Sequence, residues 1–307
     1  MALRDYLAGE VAADFGDGLV TRREALRRLG MLGLGVTGAT ALLAACGGDS
    51  GASAAKDKAA ATTTTRPPAS VGAGDTGSTT PAEAGEAIRF AGAGTQLQGA
   101  FAAPSSPIGN VLVIHENRGL TAHFFDVVGR LSTAGYAALC VDLLSREGGT
   151  ASMSDPAAPP AALAAAPVDR LLGDLRAGID ELLRRSPTHK VGAVGFCFGG
   201  GMVWELLNHG EARLAAAVPF YGPAPDHPDF TKAKAAVLAI YGALDSGVNA
   251  TRPTAEAALT AAGLVHDTKV FDGAGHAFFN DTGTRYNEQA AKQAYADLLA
   301  WFGKYLT

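Results

Sequence analysis

The 307-residue sequence contains only three cysteines, Cys46, Cys140 and Cys197, too few for a disulfide framework or a cysteine-rich zinc cluster. It lacks a Gly-x-Gly-x-x-Gly dinucleotide fingerprint, a phosphate-binding loop with its lysine, and clustered metal ligands, so we expect neither cofactor nor metal. The formal net charge is −5, and no basic stripe carries interleaved aromatic residues, which argues against nucleic acid as a partner. Any chemistry must therefore come from the chain's own side chains.

Large apolar side chains are almost absent from residues 47–86, which consist mainly of Ala, Thr, Gly, Ser and Pro. Such a segment cannot bury enough surface to offset the entropy lost on ordering. We therefore predict a disordered tether at 47–86, between an N-terminal segment of residues 1–46 and a folded domain of residues 87–307. That domain is long enough to form one sizeable core.

The N-terminal segment resembles a twin-arginine export signal, because Arg22 and Arg23 precede an apolar run from Leu29 to Ala45. This run of about 17 residues, rich in Gly and Ala, is marginal for a membrane span. It ends at Cys46 in a sequence similar to a lipoprotein processing box, in which cleavage precedes the cysteine and its sulfur receives lipid. We expect an exported, extracytoplasmic protein whose membrane contact is this N-terminal anchor. The alternatives are an uncleaved membrane anchor and a cytoplasmic protein with a chance pattern.

After residue 86, short apolar runs alternate with amphipathic segments. Runs that are apolar throughout, each followed by a helix, predict a mainly parallel sheet with helices on both faces. In such α/β sheets, sites form beyond the carboxyl ends of the strands. We predict strands at 97–103, 110–115, 136–143, 190–196, 214–221, 236–241 and 267–271, and helices at 122–134, 168–185, 199–208, 251–262 and 284–305.

The strongest motif is Gly195-Phe196-Cys197-Phe198-Gly199, which follows a predicted strand and opens a predicted helix. This is the pattern of a nucleophile elbow with sulfur in place of the serine hydroxyl. The tight turn projects the nucleophile and requires small residues two positions before and after it. The following helix N-terminus favours a thiolate. The alternative is a buried structural cysteine, which is how we interpret Cys140 inside an apolar strand.

An acid and a base follow Cys197 in the order that this architecture requires. Asp245 lies just beyond the predicted strand 236–241, and His276 lies on a glycine-rich loop after the next strand. His276 would take the thiol proton while Asp245 fixes its tautomer. Asp272 is a rival acid but lies too close to His276 along the chain. The sequence therefore predicts an α/β-hydrolase fold with a Cys-Asp-His triad that cleaves an ester or lactone.

These residues together resemble the dienelactone hydrolase family, the carboxymethylenebutenolidases, and the resemblance covers the whole predicted domain. Within it, the segment after an early strand aligns Glu116 with a glutamate that contacts the resting thiol. The resemblance implies that Glu116 modulates Cys197, and that the backbone N–H groups of Asn117 and Phe198 form the oxyanion hole.

The resemblance also implies that Arg146 binds a substrate carboxylate, but Asn280 stands where the family has a second arginine. A different lactone, a neutral ester or a thioester would suit the chemistry equally. The segment 147–167 is a candidate flap over the pocket. Alternative functions are a thioesterase, acyltransferase or peptidase on the same scaffold, or a surface-tethered binding protein without activity.

Overall fold

The computed structural model of the chain describes residues 3–46 and 84–307. Most of the predicted tether lies outside these residues. Glu86 already begins the first strand, one residue before the predicted domain boundary.

The described residues contain one eight-stranded sheet in the order β1-β2-β4-β3-β5-β6-β7-β8. β1 and β2 pair antiparallel, as do β2 and β4, and all other neighbours are parallel. This confirms the predicted α/β class with a mainly parallel sheet. The strands are β1 (Glu86–Gly92), β2 (Thr95–Ala102), β3 (Asn110–Ile114), β4 (Ala137–Val141), β5 (Val191–Phe196), β6 (Leu214–Phe220), β7 (Ala236–Gly242) and β8 (His266–Phe271).

Ten α-helices accompany the sheet within the described residues: α1 (Leu3–Gly16), α2 (Arg22–Met31), α3 (Val36–Cys46), α4 (Ala122–Thr133), α5 (Ala158–Ala165), α6 (Val168–Arg185), α7 (Phe198–Asn208), α8 (Ser246–Asn249), α9 (Arg252–Ala261) and α10 (Glu288–Tyr305). The apolar face predicted for residues 168–185 forms α6 with the same bounds, and its buried residues include Leu171, Leu175 and Ile179. The last helix begins at Glu288, where Asn287 caps it, rather than at the predicted Thr284.

Strands β3, β4 and β5 are buried along their whole length, as their apolar sequences predict for a sheet covered on both faces. The sequence pattern does not predict β1, because among its seven residues only Phe90 is fully buried. An edge strand of this kind lacks the continuous apolar run by which the central strands are recognised. It forms because its backbone pairs along its full length with β2.

The N-terminal segment is folded rather than a single apolar stretch. The predicted run from Leu29 to Ala45 is divided between α2 and α3, and Thr21 caps α2 by accepting from the Glu24 amide. Leu7 of α1, Leu29 and Leu43 are almost completely buried and belong to the same core as the sheet. None of the helices described has both the length and the apolar character needed to cross a membrane.

The C-terminal residues pack at the amino ends of the central strands. A Cβ added to Gly192 at the start of β5 would lie 2.9 Å from side-chain atoms of both Phe302 and Leu306. Lys190 also donates to the Thr307 carbonyl oxygen at 3.0 Å. The carboxyl ends of the strands thus remain available for the loops that carry the predicted site.

Candidate active site

Cys197 stands on a strained turn between β5 and α7, with φ of 57° and ψ of −119°. The turn requires glycine on both sides. A Cβ on Gly195 would lie 2.0 Å from the Gly199 carbonyl oxygen, and one on Gly199 would lie 2.2 Å from the Ile114 carbonyl oxygen. The Cys197 amide donates to the Phe220 carbonyl oxygen at 3.0 Å, which fixes the turn to β6. The predicted elbow is therefore present in the structure.

Asp245 and His276 meet beside this elbow. His276 Nδ1 lies 2.7 Å from Asp245 Oδ2, and the same carboxylate caps α8 by accepting from the Val248 amide at 3.3 Å. Cys197 Sγ and a ring nitrogen of His276 lie within 4.8 Å of each other. The structure thus brings the three predicted triad side chains together at the carboxyl ends of the strands.

The pKa values of Cys197 and His276 are both raised in this environment, and the charge of each group affects the other. Burial raises the pKa of Cys197, and this outweighs the opposing effect of His276. Burial alone would lower the pKa of His276. The negative charge of Glu10, the thiolate form of Cys197 and the hydrogen bond to Asp245 outweigh that effect, so the pKa of His276 is raised well above its usual range. The charged form of the His276 ring is thus favoured relative to that of a free histidine.

Glu116 lies at the same pocket but is held by neighbours other than the thiol. Tyr221 Oη donates to its Oε1 at 3.3 Å, and Asn280 Nδ2 donates to its Oε2 at 2.8 Å. Glu116 and Asn280 both line the cavity together with Cys197. Asn280, which stands where the family has a second arginine, therefore orients the carboxylate of Glu116.

Of the two predicted oxyanion-hole residues, Phe198 directly follows Cys197 in the chain, and Asn117 lines the same cavity as Cys197. Phe198 is the first residue of α7, where a backbone N–H has no intrahelical acceptor. Asn117 follows Glu116 in the loop after β3 and lines the cavity.

Arg146 lies away from the pocket and does not line the cavity of the described residues. Its guanidinium pairs with the buried Asp174, with Nη2–Oδ1 at 2.8 Å, and donates to the Ala93 carbonyl oxygen at 3.0 Å. In this structure the Arg146 guanidinium is paired with Asp174 of α6, and its role in binding a substrate carboxylate stays a prediction. The candidate flap 147–167 contains one 3₁₀ turn, Thr150–Ser152, and helix α5.

Helix α1 contributes two side chains that the sequence pattern does not reveal. Tyr6 Oη lies 3.1 Å from Cys197 Sγ and 3.4 Å from His276 Nε2. A carboxylate oxygen of Glu10 lies 3.0 Å from His276 Nε2. No motif in residues 3–16 marks these two side chains. They lie some 190 or more residues from their partners along the chain, and only the fold brings them together.

A cavity of about 360 Å³ remains beside Cys197, and its lining includes Glu10, Asp14, Asn117, Arg118, Asn280 and Arg285. α1 thus forms one wall of the space next to the nucleophile. Within the described part of the chain, Glu10, Cys197 and His276 form the one group of side chains close enough to share a metal ion. Hydrogen bonds with Tyr6 and Asp245 already account for the positions of the thiol and the imidazole.

Comparisons with known proteins match the folded domain to one family. The sequence model of the dienelactone hydrolase family matches residues 97–306. A Salmonella typhimurium protein provisionally named carboxymethylenebutenolidase is 33% identical over 208 residues, which are 64% of this chain and 77% of that protein. A Methylorubrum extorquens protein with the same provisional name is 31% identical over 220 residues, 67% of this chain and 75% of that protein.

Solved structures of dienelactone hydrolases and related proteins resemble the fold of this chain. The crystal structure of a provisionally assigned dienelactone hydrolase from Klebsiella pneumoniae has a TM-score of 0.64 at 30% identity, covering 72% of this chain and 99% of that one. A dienelactone hydrolase-like promiscuous phosphotriesterase from metagenomic libraries has a TM-score of 0.65 at 24% identity, covering 73% and 100%, a likeness of fold alone. The family match begins at residue 97, so helices α1–α3 lie outside it.

Proposed function

Because the chain belongs to the dienelactone hydrolase family and is a carboxylic ester hydrolase, we propose that it cleaves small esters or lactones with Cys197 as nucleophile. His276 is the general base and Asp245 orients its ring. The observation that carries this proposal is the convergence of the three side chains, with His276 bonded to Asp245 at 2.7 Å and within 4.8 Å of the thiol.

The proposed reaction proceeds through an acyl-cysteine. His276 takes the thiol proton, and the Cys197 sulfur attacks the carbonyl carbon of the ester. The N–H groups of Asn117 and Phe198 stabilise the oxyanion, each by about 3–4 kcal/mol. The carbon–oxygen bond breaks as His276 returns the proton to the leaving alcohol. A water molecule, deprotonated by His276, then hydrolyses the thioester and restores the thiol.

The space beside Cys197 supports a small substrate. Its volume of about 360 Å³ lies at the lower end of the range for small-molecule pockets. The relatives carry the name carboxymethylenebutenolidase, which denotes a lactone hydrolase, and the same acyl-enzyme chemistry serves open-chain esters. We propose a small lactone or ester as the substrate.

Replacing the nucleophile tests the proposal directly. Cys197→Ala should abolish turnover of 4-nitrophenyl acetate and the formation of an acetylated protein, detected by intact mass. Cys140→Ala is the matched control, because Cys140 is fully buried in β4, and it should retain activity. Unchanged turnover in Cys197→Ala would refute the proposal.

We also propose that the N-terminal segment directs export and is cleaved before Cys46, which then carries lipid. Arg22 and Arg23 support this, because both side chains are exposed at the start of α2, where a receptor could bind them. Envelope fractions analysed by mass spectrometry should contain a lipid-modified Cys46 as the first residue. A protein that keeps residues 1–45 in the envelope would contradict this.

A further inference from the structure

The N-terminal helix α1 lies against the proposed catalytic pair. Tyr6 Oη contacts the thiol and Glu10 contacts the imidazole, although both belong to a segment outside the family match. We propose that residues 3–46 are an intramolecular inhibitor of the active site, which α1 occludes until the segment is displaced or removed. This inference rests on the proposed roles of Cys197 and His276.

Tyr6 occupies space that an attacking thiol needs. Its hydroxyl lies 3.1 Å from Cys197 Sγ, the distance at which a substrate carbonyl would be positioned for attack. The phenol is fully enclosed, and Cys197 is only 3% exposed. A substrate carbonyl can reach the sulfur only if the Tyr6 ring leaves.

Glu10 acts on the base. His276 has Asp245 on Nδ1 at 2.7 Å and Glu10 on Nε2 at 3.0 Å, so a carboxylate faces each ring nitrogen. This arrangement stabilises the imidazolium, and an imidazolium has no lone pair with which to accept the thiol proton. The negative charge of Glu10 also raises the pKa of Cys197, secondary to the effect of burial. Both effects favour the unreactive protonation states.

Ion pairs hold the N-terminal helices on the domain at two separate points. Arg285, which lines the cavity, lies 3.0 Å from Asp14 and 2.7 Å from Asp17. Arg27 of α2 makes a bidentate contact with Asp155, at 2.7 and 2.9 Å. Basic and acidic side chains therefore pair across the contact between the N-terminal helices and the domain at two separate points.

The chain order gives the segment a means of release. α1, α2 and α3 all lie at or before Cys46, the residue that the proposed processing would leave at the new N-terminus. Cleavage there would separate the three helices from the domain and allow them to dissociate. The enzyme would then stay inactive inside the cell and gain activity after export.

The test uses full-length protein in which α1 is undocked. Leu7 is 1% exposed, so Leu7→Asp places a carboxylate in the packed face of α1, while Ala13→Asp places the same group on its exposed face. Glu10→Gln is a milder variant that keeps the shape of the side chain and removes its charge from His276. Each protein is assayed for iodoacetamide labelling of Cys197, located by peptide mass spectrometry, for 4-nitrophenyl acetate turnover, and for fold by circular dichroism.

We expect Leu7→Asp to increase both the labelling rate and turnover at least tenfold, Glu10→Gln to increase them severalfold, and Ala13→Asp to match the parent protein. Faster labelling without turnover would support occlusion by α1 while refuting the proposed hydrolase function. Lower turnover in folded Glu10→Gln, or labelling of Leu7→Asp and Glu10→Gln equal to the parent, would overturn the inference. In the first of those cases α1 would be a working part of the site.

Discussion

The substitution Gly199→Ala tests the geometry of the elbow most directly. A Cβ at this position would lie 2.2 Å from the Ile114 carbonyl oxygen and 2.7 Å from that of His115. These are backbone atoms at the end of β3, which cannot rotate away as a side chain could. Overpacking typically costs about 1–3 kcal/mol, and we expect at least about 3 kcal/mol here because strand β3 itself must move. Activity should fall as well, since the displaced turn carries Cys197.

Gly201→Ala provides the matched control two residues further along α7. Its Cβ would meet no atom closer than 3.6 Å, and alanine favours a helix over glycine by about 0.5–1 kcal/mol. The two variants should thus differ by about 4 kcal/mol in the free energy of unfolding. With a urea dependence of about 2 kcal/mol per molar, their midpoints should lie about 2 M apart. Midpoints that agree within about 0.5 M would refute the packing argument.

Three further predictions concern the residues around the pocket and Arg146. Asn280→Leu removes the donor to the buried Glu116 carboxylate and should lower the free energy of unfolding by about 1–3 kcal/mol, measured in urea; an unchanged midpoint would show that the bond is not needed. Because burial raises the pKa of Cys197, alkylation of the full-length chain should speed up about tenfold per pH unit on the alkaline side of neutrality, and a rate already constant from pH 7 would contradict this. Arg146→Ala leaves the carboxylate of Asp174, 1% exposed, without its partner and should cost about 3 kcal/mol of stability with KM unchanged; a raised KM at unchanged stability would place Arg146 at the substrate.

The elbow and its partners could be predicted because their constraints are local. A strand that turns into a helix so tightly that backbones touch requires glycine at the positions of Gly195 and Gly199. Both glycines fall within the five-residue motif, so the sequence alone reveals the turn. Asp245 and His276 each follow a recognisable strand, and parallel strands bring their carboxyl ends to one edge of the sheet.

The contacts made by α1 could not be predicted in the same way. Tyr6 and Glu10 belong to a helix that meets the site across more than 190 residues, and nothing in its own sequence specifies that docking. Arg146 illustrates the opposite case. Its position after β4 matched a family pattern, yet the presence of Asp174 on α6 decides where its guanidinium points. The edge strand β1 was also beyond reach, since backbone pairing rather than side-chain burial maintains it.

The N-terminal and C-terminal residues of the described chain pack at opposite ends of strand β5. The amino end of β5 is covered by Phe302, Leu306 and Thr307. Tyr6 lies at its carboxyl end, beside the thiol of Cys197. A fluorophore or fusion partner joined after Thr307 would therefore leave the mouth of the cavity unobstructed. The same group attached at Tyr6, which is buried against Cys197, would instead displace α1 from the site.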